Sequence, residues 1–180
     1  VLKDLQDNVP GFGGDRAVQI IEKEIGRPIG DLFESFEKTP IAAASLGQVH
    51  RAVYQGTPVA VKVQRPQLER QLRRDLVLIR LLGVMAAPFL PLNLGFGLGE
   101  IIDEFGRSLF EEIDYRKEAD NAERFARMFE KNPAVIVPRV DRSLSGERVL
   151  TTTWINGTKL QQRQELEAQH LDPASLIRTG

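Results

Sequence analysis

One lysine stands out by its setting. Lys62 closes the stretch Val59-Ala60-Val61-Lys62, whose β-branched alternation marks a strand. An ammonium at the end of an otherwise apolar strand is aimed at an anion and not at water. Upstream, Ala42, Ala44, Gly47 and Val49 fall at the offsets of the G-x-G-x-x-G-x-V loop that covers nucleotide phosphates, with alanine at the first two glycine positions. The chemistry these residues suit is phosphate binding: a backbone loop above and a lysine below.

The elements that position them follow from the same stretch. Residues 48–54 continue the loop as a strand, Gln55-Gly56-Thr57 supplies a turn, and the lysine strand returns beneath. A plain meander with an exposed lysine is the competing reading. Loop, turn and lysine together, in order, favour a nucleotide.

The strings AAASLGQVHRA and VAVKVQRP resemble the alanine-rich loop and lysine strand of the UbiB-type atypical kinases, a family linked to coenzyme Q and other prenylquinones. The resemblance covers residues 5–160 and returns at EEIDYRKEADNAERF. It implies that Glu118 pairs with Lys62, and that Glu112 and Asp114 form an E-x-D motif facing a lysine of a K-x-G-Q segment upstream of the kinase lobe. It also implies ATP and Mg2+ as cofactors, with ATP met by Ala42, Ala43, Ala44, Ser45, Gly47, Val49, Ala60, Lys62, Thr152 and Trp154 and with no metal ligand among these residues. Asp114 and Glu118, four residues apart, are expected to share a helix face while Glu112 points elsewhere.

Composition sets the bounds. With 180 residues and 42% hydrophobic content the chain can bury a core. A net charge of −1 gives no electrostatic case for nucleic acid, and the absence of cysteine excludes disulfides and thiolate metal sites. The least charged run, residues 76–98, is interrupted by Arg80, Pro88 and Pro91, so it lacks the ~20 continuous apolar residues of a membrane span. The chain starts at Val1 and stops on an unfinished helical pattern, so a piece of a longer protein is expected.

In order, residues 1–10 suggest the tail of a helix, and GFGG at 11–14 a loop. Asp15 is placed to cap a helix over 16–25 that Gly26 ends. Residues 29–36 suggest a short helix or turn before a first strand at Ile41. Residues 67–82 form a helix carrying Arg70, Arg73, Arg74 and Arg80, and 86–99 a linker. Residues 100–131 give one long helical pattern with Ile101, Ile102, Phe105, Leu109, Ile113, Ala122, Phe125 and Phe129 on its buried face. Residues 135–140 and 148–155 are expected as the fourth and fifth strands. The fold class is therefore α+β: a kinase-like small lobe with a five-stranded antiparallel sheet and inserted helices. Residues 1–40 are assigned to family-specific helices, 41–157 to the lobe and 158–180 to the start of the large lobe.

In such a lobe Thr152 guards the back of the pocket and residues 153–157 form the hinge; Trp154 sits between the lobes. The family usually has methionine and glutamate where Thr152 and Thr153 stand. His170-Leu171-Asp172 mimics a catalytic loop but lacks its asparagine, since Ile177 stands five residues on. No D-F-G is present. The leading expectation is the ATP-binding lobe of a UbiB-type kinase or ATPase, inactive by itself, from a parent at a membrane surface in mitochondria, plastids or the bacterial cytoplasm. Its expected partners are the large lobe and the K-x-G-Q segment. A pseudokinase scaffold binding membrane lipid or quinone-pathway proteins through the arginine helix and residues 76–98, and an α+β domain without nucleotide, stay open.

Overall fold

A computed structural model describes residues 10–86 and 97–158. The helix tail before Pro10, most of the linker and the start of the large lobe lie outside them. The frame is one antiparallel hairpin. Strands β3 (Gly47–Tyr54) and β4 (Thr57–Gln64) pair along their whole length, from Gly47 opposite Gln64 to Tyr54 opposite Thr57. Gln55 and Gly56 both take positive φ, 50° and 70°, the two-residue turn whose twist matches that of the strands.

β5 (Val149–Thr153) pairs with the far side of β4, and β1 (Ser35–Phe36) and β2 (Ala42–Ala43) both pair with β3. The expected five-stranded antiparallel sheet is thus present, with two changes of membership. Residues 135–140 are not a strand: Pro138 has no N–H for a ladder, Ile136 is exposed, and one bridge, Val140 to Thr152, is formed. In their place stands β1, in a stretch read as helix or turn. Only Ile29–Leu32 is helical there (α2), after which Phe33 and Phe36 pack on Tyr54 and His50 and draw the backbone into the sheet.

Strand alternation gives the sheet two unlike faces. One carries Ala52, Val59, Val61, Val63 and Val149 into the core, where Ala17 and Ile21 of α1 (Gly14–Ile25) meet Leu32, Phe33 and Leu144. Helix α1 starts earlier than expected. Gly13, not Asp15, is its cap, and Asp15 instead pairs with Lys38 at 2.7 Å from the first turn. Gly26 ends it in the left-handed conformation, as read.

This core face also buries His50 and Gln48. The Gln48 amide accepts from Phe12 N (2.9 Å) and donates to Phe12 O (3.0 Å), binding that loop as a strand neighbour would. It also donates to His50 Nε2 (2.9 Å), so His50 carries its proton on Nδ1 and gives it to the Glu37 carbonyl at 2.8 Å. Burial lowers the pKa of this imidazole, which the structure holds neutral.

The helices follow as α3 (Leu68–Ala86), α4 (Leu98–Glu112) and α5 (Tyr115–Met128). The single helix expected over residues 100–131 is therefore two, and α4 begins inside the expected linker. Asp114 takes an extended ψ of 101° and caps α5 by accepting from Arg116 N, while Gln64 Nε2 satisfies the Ile113 carbonyl at 2.8 Å. The break changes which residues are buried: Ile113, Tyr115 and Ala119 face inward, whereas Ile101, Phe105 and Phe125 are exposed. Tyr115, Ala119 and Leu150 form a second small core, with Val140 against it. Gly47 makes this packing possible. A Cβ there would meet the Tyr115 hydroxyl and, at 2.6 Å, the Val63 carbonyl.

Two outcomes are expected. The unfolded chain takes up a proton on His50 near pH 6.5 that the folded chain refuses, so stability falls as pH drops below that value. Urea midpoints at pH 8 and 5.5 should show this decline in the wild type, by at most about 1.4 kcal/mol per pH unit, and less of it in His50→Gln. Gly47→Ala should lower the unfolding free energy by about 1–3 kcal/mol, the cost of overpacking against backbone that cannot yield.

Candidate functional site

The second face of the sheet carries the residues singled out for phosphate chemistry. The register places Val49 opposite both Lys62 and Ala42, Ala60 opposite Thr152, and Lys62 opposite Leu150. Paired residues share a face, so Ala42, Val49, Ala60, Lys62, Leu150 and Thr152 form one continuous surface. Leu150 is buried, Ala42 is exposed and the other four are half-buried, which leaves this surface open to a ligand.

Lys62 is held over it from α5. Its Nζ donates to both Glu118 oxygens, at 2.8 and 2.7 Å, and lies 4.7 Å from the centroid of the Tyr115 ring. The two side chains of the ion pair are 34% and 41% exposed, so the charges are reachable from solvent. Glu118 arrives there because Asp114 restarts the helix: Tyr115 and Glu118, three residues apart, share the face turned to β4.

The other two acids are not brought to the lysine. Asp114 is a cap, not part of a helix face shared with Glu118, and its carboxylate is engaged by Arg116 at 2.8–3.2 Å. The Arg116 hydrogen bonds hold its pKa below the usual carboxylate range. Glu112 is exposed at the end of α4, with no ion pair among the described residues.

The alanine loop is tied down. Ala44 N donates to the Gly47 carbonyl, closing a tight turn at 2.8 Å. Arg65 then clamps it: its backbone N donates to Leu46 O (3.0 Å), Nε to Ala44 O (2.9 Å) and Nη2 to Pro10 O (2.9 Å). Ala42, Ala44 and Ser45 are exposed, Ala43 is half-buried, and Gly47 is buried against Tyr115. At the far edge Trp154 lies against β3. The Arg51 guanidinium is 5.2 Å from its ring centroid, and its indole N–H donates to Asn156 at 2.7 Å.

Arg65, Gln48 and Tyr115 escaped the sequence reading. The first two follow strand or loop motifs and read as turn or strand filler. Tyr115 had one usable signal, its place three residues before Glu118. Chemically, the arrangement offers an oriented ammonium on a half-open apolar face beside a fixed backbone loop at the sheet edge, which suits a planar ring with an anionic chain.

Residues 4–180 match the model of the ABC1 atypical kinase-like domain. An uncharacterized protein of Synechocystis is 47% identical over 99% of this chain and 32% of its own length. The protein named Activity of BC1 complex kinase 1, chloroplastic, of Arabidopsis thaliana is 42% identical over 98% of this chain and 26% of its own. The chain thus spans between a quarter and a third of the length of these relatives. Among solved structures, Rv3197 of Mycobacterium tuberculosis in complex with erythromycin superposes with a TM-score of 0.71 at 33% identity, covering 85% of this chain and 38% of that one. With the loop, the lysine strand and the Lys62–Glu118 pair in one kinase-like lobe, the chain belongs to the ABC1 atypical kinase-like family, the UbiB type.

Proposed function

We propose that this chain is the ATP-binding small lobe of a UbiB-type kinase or ATPase that supports prenylquinone metabolism. The observation that carries the reading is the two-oxygen pairing of Glu118 with Lys62 on the open face of the sheet. An ammonium so held is oriented yet still available to phosphate oxygens, which is what a nucleotide lysine needs. Adenine would lie along Val49, Ala60 and Thr152, with the hinge at residues 153–157 and Trp154 at its outer edge.

The fit of the cofactor is uneven. Lys62 and the backbone of Ala42, Ala43 and Ser45 suit phosphates, whereas the Ala44 N–H is already spent on the Gly47 carbonyl. Magnesium has no such support: no cluster of three acidic or histidine side chains stands among the described residues. In this reading the metal-binding acids, the catalytic loop and the large lobe belong to other parts of the longer parent protein, as does the K-x-G-Q segment for Glu112. The 180 residues alone would bind nucleotide without transferring phosphate.

A second reading, a scaffold that docks on membrane lipid or quinone-pathway proteins, draws on α3. Its first half carries Arg70, Arg73 and Arg74, and its second half exposes Val77, Leu81, Leu82, Val84 and Met85. No helix among the described residues is long and apolar enough to cross a membrane. Surface attachment is the form this reading takes, in a plastid, mitochondrion or bacterial cytoplasm; the Arabidopsis relative named chloroplastic favours the plastid for a plant parent.

Calorimetric titration of the full-length parent with Mg-ATP and Mg-ADP tests the first reading. Lys62→Ala and Glu118→Ala should each weaken binding at least tenfold, or about 1.4 kcal/mol. Wild-type affinity in both variants would overturn it. Flotation with anionic vesicles in the absence of nucleotide would then favour the scaffold. Within the first reading, Ala43→Gly and Ala44→Gly should change ATP affinity and turnover, because glycine loosens the loop and removes methyl groups beside the phosphate path. Unchanged constants in both would show that the alanines play no part in nucleotide handling.

A further inference from the structure

Glu118 fixes the Lys62 ammonium from one direction only. The described structure contains a second contact on the same nitrogen, the Tyr115 ring face at 4.7 Å. That distance is well inside the ~6 Å reach of a cation over an aromatic face. Both contacts come from α5 three residues apart, so a lysine leaving β4 meets a carboxylate and a π-face on a single turn of helix.

Tyr115 is built to stay where it is. It is 1% exposed, its N–H donates to the Glu147 carbonyl at 3.0 Å, and it packs with Ala119 and Leu150. Its hydroxyl is buried and has no hydrogen-bond partner among the described residues. It sits instead against Gly47, in the space that a Cβ there would need. A buried hydroxyl without a partner is unfavourable, so bonding by the oxygen does not account for the placement. Burial and the neighbouring charge of Glu118 also raise its pKa, which keeps the phenol neutral. What remains for Lys62 is the ring face.

We infer that Tyr115 is a positioning residue for Lys62: its ring and Glu118 together clamp the ammonium and hold it over the open face of the sheet. The inference rests on the nucleotide-binding reading for its purpose, but the clamp can be tested without nucleotide. Removing the hydroxyl alone should be harmless, whereas removing or inverting the charge of the ring face should release the lysine.

The test uses the full-length parent carrying Tyr115→Phe, Tyr115→Leu, or pentafluorophenylalanine in place of Tyr115. The fluorinated ring keeps the shape of phenylalanine and reverses the charge on its face. Each is made with Lys62 and with Lys62→Met, and thermal midpoints are measured without nucleotide as a double-mutant cycle. Mg-ATP affinity is measured by calorimetry in the Lys62 background. Tyr115→Phe should keep affinity within twofold and melt no lower than the wild type. The leucine and fluorinated variants should bind at least fivefold more weakly, and their effects on the midpoint should shrink when Lys62 is methionine.

If phenylalanine is as damaging as leucine, or the fluorinated ring behaves like phenylalanine, or the cycle is additive, the inference is overturned. Should the wild-type parent bind no Mg-ATP, the proposed function falls. The nucleotide-free cycle then still decides the clamp: coupling to Lys62 upholds it and additivity removes it.

Discussion

An ammonium drawn off an apolar strand must meet an opposing charge, and much of this lobe is arranged so that Lys62 does. The partner cannot come from the sheet, because its neighbours in register are Val49 and Leu150. It has to come from a helix laid across the sheet at the right height. Asp114 supplies the break that turns the chain, Gln64 absorbs the carbonyl left over at Ile113, and Gly47 leaves room for the first side chain of the new helix. The pair itself adds little stability: ion pairs this exposed are worth about 0–1 kcal/mol. Its value is geometric, since two oxygens on one ammonium fix the end of a side chain that would otherwise sample many rotamers.

The division of labour between the faces of the sheet explains how such a group is tolerated. On one face Val59, Val61 and Val63 bury themselves against α1, and on the other Ala60 and Lys62 stay half-buried. A single strand thereby anchors the core and presents the site, so displacement of the site lysine would require moving the core valines. The polar cluster of Gln48 and His50 acts on the core side. By bonding both backbone groups of Phe12, Gln48 fastens the glycine-rich segment before α1 to the strand that follows the alanine loop. All its partners are satisfied, and a buried network of that kind restricts the fold to one arrangement.

The strands β3 and β4, their turn and Lys62 were legible because each has a local signal: alternation, an Xaa-Gly turn and a charge at the end of an apolar run. The sheet edges were not. β1 is two residues long and owes its place to Phe33 and Phe36 packing on Tyr54 and His50, a tertiary effect that periodicity does not register. Residues 135–140 look like a strand by composition, but Pro138 removes the donor at its centre. The break between α4 and α5 was masked by Ile113, which continues the apolar period of α4 while Asp114 already caps α5. Of the site, the lysine and the loop could be read from spacing. Glu118 came from family resemblance, because nothing local distinguishes it from Glu111, Glu112 or Glu123.

The alanine loop gains a physical explanation from its surroundings. A glycine-rich loop over a nucleotide is mobile and must be ordered when the ligand arrives, with an entropic cost of roughly 1–2 kcal/mol for each residue fixed. Here alanine narrows the backbone choices, and three hydrogen bonds from Arg65 fix Leu46, Ala44 and the preceding Pro10 as one body. Much of that ordering is therefore complete before any ligand binds. A pre-ordered loop favours ligands that already match its shape and gives up the ability to close around others. On the proposed nucleotide-binding reading, the same rigidity limits how far the loop can follow a phosphate as it leaves, so the lobe would favour one fixed nucleotide pose.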